Sequence, residues 1–60
     1  MKLPTLSEQI IIEEIREEAR AYGISQELVI LAEEIWESRK DDKEFTLLNA
    51  YHKAFHQLIN

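Results

Sequence analysis

The sequence has no cysteine, one glycine and one proline in 60 residues. Without cysteine no disulfide can hold a small fold together, so stability has to come from helix packing, helix ends or association. The compartment is left open, since a chain without thiols suits any redox environment. A single glycine excludes a glycine-rich phosphate cradle. Long apolar runs are missing as well. The longest, residues 10–12 and 28–32, are far short of a membrane span, and residues 1–5 lack the apolar core of a signal peptide. Basic residues are scarce, seven against twelve acids, for a net charge of −5. Nucleic acid and anionic membrane both demand a basic surface, so neither is expected as a partner.

What is present points to helices. The length allows one domain, residues 1–60, burying only about 60% of the surface its unfolded chain exposes. Apolar spacing predicts a first helix over 7–22, with Ser7 as N-cap and Leu6 and Ile11 as a hydrophobic staple. Ile11, Ile12, Ile15, Ala19 and Tyr22 form its apolar stripe. Gly23 is expected to end it in the left-handed conformation, with Ile24 folding back over Ala19. A second helix follows over 25–40, capped by Ser25 and stapled by Ile24 and Val29. Leu28, Leu31, Ala32, Ile35 and the stem of Arg39 face inward there, with Val29 and Trp36 flanking. Asp41-Asp42 reads as a turn, with Asp42 capping a third helix over 43–59 whose stripe is Leu47, Leu48, Tyr51, Ala54, Phe55 and Leu58. Short connections make consecutive helices antiparallel, so the expected fold is an all-α, up-down-up three-helix bundle.

Several features test for chemistry. Ala19, Gly23 and Val29 have the spacing of a helix-turn-helix, but Glu27, Glu33, Glu34 and Glu37 on the second helix oppose approach to phosphates. His52 and His56 are four apart on one helix face, a spacing that can chelate a metal. No third ligand accompanies them, so no metal or other cofactor is expected. Glu13, Glu14, Glu17 and Glu18 lie opposite or beside the apolar stripe in solvent, with Arg16 and Arg20 at pairing distance, and lack the cleft that would perturb a carboxylate. Enzymatic activity is not expected.

The third helix differs from the others in its charge. Residues 1–40 carry nine acids and five bases, whereas 43–60 carry only Lys43, Glu44 and Lys53. Beside its main stripe runs a mixed line of Phe45, Asn49, His52, His56 and Ile59, unlike the Glu/Lys/Arg coat of a solvated face. Interfaces favour such charge-poor, aromatic-containing patches. These five residues, with Trp36 at the edge, are the expected protein-binding site; the alternative is that Phe45 and Ile59 only cap the ends of the core. Ile10, with Ala21, and Ile30 point away from their stripes and are secondary candidates.

Leu6-Ser7-Glu8, Gly23-Ile24-Ser25-Gln26-Glu27, Trp36-Glu37-Ser38-Arg39-Lys40 and Lys43-Glu44 give the chain a style that resembles de novo designed three-helix miniprotein binders. That resemblance covers nearly the whole chain and implies docking of a helix face on a chosen protein. Thr46, Asn49, His52 and the glycine-free Asp41-Asp42 loop depart from it, as they would if the third helix were selected for contact. Residues 18–27 are similar to the helical-hairpin antirepressors of sporulating bacteria, and Leu6-Ser7-Glu8 with the two helices after it to small inhibitors of sporulation histidine kinases. The sporulation aspartyl-phosphate phosphatases carry Ser-Gln-Glu-Leu-Asp on their second helix. Here Ala32-Glu33-Glu34-Ile35-Trp36 places Trp at the acid, so their activity is not implied.

The expected function is therefore a non-catalytic module that docks a helical face on another protein. Two alternatives stand beside it: a natural bacterial regulator that sequesters a repressor or histidine kinase, and a homo-oligomeric helical module whose third helix pairs with its own copy.

Overall fold

The computed structural model describes residues 3–60. Met1 and Lys2, which open the segment read as too polar for a leader, lie outside the described residues. Three helices, α1 (Leu6–Ala21), α2 (Ser25–Arg39) and α3 (Leu47–Ile59), pack pairwise into an all-α bundle, with α2 and α3 in the most extensive contact. Pro4 and Glu8 line one cleft with Trp36, Lys40, Thr46 and Leu47 at one end of the bundle. Towards the other end, Tyr22 meets Phe55. Thus α1 and α3 run the same way and α2 runs back between them.

The start of α1 differs from the expectation by two residues. Thr5, not Ser7, is the N-cap: the Glu8 N–H donates to Thr5 Oγ1 at 3.2 Å and the Thr5 N–H donates to Glu8 Oε1 at 2.8 Å. Thr5 has a carboxylate three residues on and so satisfies two orphan donors reciprocally. Ser7 has Ile10 there, which can return nothing. Leu6 becomes the first helical residue and is 74% exposed, so it makes no staple with Ile11. Thr5→Ala should cost about 1 kcal/mol in urea unfolding, whereas Ser7→Ala should stay within a few tenths.

The end of α1 is as expected. Gly23 has φ 74°, the Ile24 N–H donates to Ala19 O at 2.9 Å, and the Gly23 N–H donates to Arg20 O at 3.0 Å. These are the two bonds of a Schellman turn. The turn flows straight into α2: the Ile24 carbonyl accepts the Leu28 N–H at 2.9 Å, so Ile24 is the N-cap. Ser25 is already helical and makes no capping bond, which corrects its expected role. Ile24 and Val29 both pack on the core individually, without the cap that a staple brackets.

The second connection is longer than expected, because α3 begins at Leu47 and not at 43. Asp42 accepts local N–H groups as a short acid should, but it closes a turn and not a helix: Oδ1 takes the Glu44 N–H at 3.0 Å and its carbonyl takes the Phe45 N–H at 3.1 Å. Thr46 caps α3 instead, its Oγ1 accepting the Asn49 N–H at 3.1 Å. The reason is Phe45. Leaving one turn unwound lets its ring sink into the bundle end, 7% exposed and stacked 6.5 Å from Trp36.

The core is thin. Ile12, Ile15, Ala19, Leu28, Ala32, Tyr51 and Ala54 form its buried cluster, with Leu31, Ile35, Leu47, Leu48, Phe55 and Leu58 half-buried around it. Ala19, Ala32, Ala50 and Ala54 are wholly enclosed, and Leu28 is the largest side chain that is. Small residues at these positions let backbones approach closely, which explains why Ala50, outside the expected stripe of α3, is buried.

Candidate binding surface

The structure divides the six expected site residues into two groups. Asn49, His52, His56 and Ile59 stand at intervals of three, four and three along α3, and all are exposed, Ile59 to 43%. Helical geometry puts them on one outer face. No carboxylate occurs within α3, so Lys53 supplies its formal charge beside the two imidazoles.

Phe45 and Trp36 are elsewhere. Phe45 lies in the loop and is buried, which corrects its expected place at the head of the exposed line. Its ring stacks on Trp36 with 24° between planes, and the Arg39 guanidinium sits 5.2 Å from its centroid. Trp36, half-buried, lines a cleft of about 530 Å³ with Phe45, Leu3, Pro4 and Leu47. The stack anchors the α2–α3 connection and does not belong to the α3 face.

A second contribution to the α3 face comes from α1, where Tyr22 was expected in the core. It follows the last helical residue, is 65% exposed, and tilts its ring against Phe55 at a centroid distance of 6.0 Å. His52, Phe55 and Ile59 share one flank of α3 by their spacing, and Ile11 (37% exposed) lies three turns from Tyr22 on the matching flank of α1. The α1–α3 seam is therefore lined by apolar and aromatic groups that reach solvent. No sequence signal set Tyr22 apart, because its spacing from Ile12, Ile15 and Ala19 is that of a core position.

On the remaining side of α1 the expected ion pairs are present. Arg16 meets Glu13 at 3.1 Å and Arg20 meets Glu17 at 2.8 Å, all well exposed, so their energetic worth is small. Lys40 pairs with Glu37 at 3.1 Å.

Tyr51 reaches from α3 between the other two helices. Burial pushes its phenol up from the ordinary 10.0; the Arg16 guanidinium draws it back, while Glu33 and Glu13 push it up further. The fold thus favours the neutral phenol. Its contribution to stability is complete below pH 10.0 and is lost as the pH rises through the shifted value. Tyr51→Phe should flatten this alkaline loss while changing stability little at pH 7, where the phenol is neutral in folded and unfolded chains alike. Absorbance titration at 295 nm in a Tyr22→Phe background isolates the Tyr51 phenol.

Among the described residues no three of His, Asp and Glu converge as a metal-binding group. No helix among them is long and apolar enough to cross a membrane. No family model, curated protein or solved structure matches the chain.

Proposed function

We propose that the chain is a non-catalytic module that binds another protein through the outer face of α3 and the adjoining seam with α1. The observation that carries this reading is the Tyr22–Phe55 pair, an aromatic contact between the end of α1 and α3 in which Tyr22 remains 65% exposed. Ile59 and His52 extend it along α3, and Asn49 and His56 supply orienting polar groups beside it. Tyrosine and other aromatic anchors in a charge-poor setting are what binding hot spots are made of. Phe45 and Trp36 support the face from behind by fixing where α3 begins. The resemblances to designed binders and to two-helix bacterial regulators lend support, since both classes act by binding.

The test is site-specific photo-crosslinking in a cell extract, with a benzophenone side chain replacing Ile59 in one protein and Glu34 in another. A discrete adduct should form from position 59 and not from position 34. Unlabelled wild-type protein should compete it away, and Tyr22→Ser/Ile59→Ser protein should not. Equal adducts from both positions would count against the α3 face.

A further inference from the structure

Leu3 and Leu6 are the most exposed large apolar side chains among the described residues, at 76% and 74%, and Ile10 is 56% exposed. Leu6 and Ile10 are one helical turn apart on α1, on the side opposite the buried Ile12, Ile15 and Ala19. None of the three packs on the core cluster, so the fold does not need them. A lone exposed leucine is ordinary; Leu6 and Ile10, one turn apart, make an apolar pair that the fold leaves uncovered, whereas Leu3 precedes the helix and lines the cleft of Trp36 and Phe45.

The same face continues as a carboxylate ridge. Leu6 and Ile10 share a shallow groove with Glu13, Glu14, Glu17 and Glu18. Glu13 and Glu17 are partly neutralised by Arg16 and Arg20, whereas Glu14 and Glu18 form no ion pair among the described residues. A second copy offering this face would set ridge against ridge, so the charge selects a basic occupant. Leu6 and Ile10 stand at the i, i+4 spacing of helical anchor positions, against which the side-chain ridge of another helix can lie.

We infer that the outer face of α1 is a docking site for a basic amphipathic helix of another protein. The apolar stripe of that helix covers Leu6 and Ile10, and its lysines or arginines meet Glu14 and Glu18. This surface is separate from the α3 face, and either reading can fail without the other.

The probe is a labelled helical peptide of leucine and lysine alone, with leucines at helical spacing, followed by fluorescence anisotropy. It should bind the wild-type protein, weaken with added salt, and bind Leu6→Ser/Ile10→Ser at least about thirtyfold more weakly. Ile30→Ser removes an isoleucine of similar exposure, 53%, from α2 and should change nothing. Glu14→Lys/Glu18→Lys keeps the apolar line and should lose about tenfold, giving a second test if the serine variant folds poorly. A leucine/glutamate peptide of the same pattern should not bind. Absence of binding by the leucine/lysine peptide would overturn the inference, as would equal affinity for wild type and both double variants. Tight binding of the acidic peptide, or self-association of the protein abolished by Leu6→Ser/Ile10→Ser, would do the same.

Discussion

Leu28→Ala should leave the chain unfolded, or close to it, at 25 °C. Leu28 is the largest wholly enclosed side chain, and the others with no exposure are alanines. Removing its three terminal carbons forfeits their transfer energy and opens a cavity between backbones already held close by Ala19, Ala32, Ala50 and Ala54. Buried leucine truncations cost about 2.7–5 kcal/mol. A domain of this length has only about 3–9 kcal/mol in all, at roughly 0.05–0.15 kcal/mol per residue. Far-UV circular dichroism with a urea titration reads the result directly. A loss below about 1 kcal/mol would mean that the site collapses around the change and that packing at Leu28 does not organise the bundle.

Phe45→Ala should be nearly as damaging, at about 3 kcal/mol, although the residue lies in a loop. Its ring is 7% exposed, stacked on Trp36 and overlaid by Arg39. Trp36 is the only tryptophan, so its emission should shift to the red as the stack is lost, and Phe45→Leu should recover much of the stability. Asn49→Ala, His52→Ala and His56→Ala remove exposed side chains and should stay within about 0.5 kcal/mol. The contrast separates support from surface: weaker partner binding in Phe45→Ala reports a displaced α3, whereas weaker binding in His52→Ala reports a lost contact.

The helical framework was legible in the residues because its signals are local. Gly23 has the left-handed backbone conformation that glycine, lacking a Cβ, adopts without penalty, and the Glu13–Arg16 and Glu17–Arg20 pairs follow from spacing alone. The misplaced boundaries are those where two local solutions compete. Thr5 and Ser7 are both acceptable caps, and only the return bond from Glu8 decides between them. Asp42 accepts backbone N–H groups whether it opens a helix or closes a turn. What chose the turn was burial of Phe45 against Trp36, a contact between segments that periodicity cannot express. The same limit applied to the candidate surface. Its α3 half could be read from charge depletion, but Tyr22 could not be taken out of the α1 stripe before the position of Phe55 was known.

In the proposed function the face formed by α3 and Tyr22 stays open for a different protein. Absolute molar mass by light scattering, measured across a wide concentration range, tests it most directly. The mass should be 7.1 kDa throughout, with the face left free in solution. A dimer that dissociates on dilution and is abolished by Tyr22→Ser/Ile59→Ser would contradict it, because the face would then be covered by a second copy of the chain.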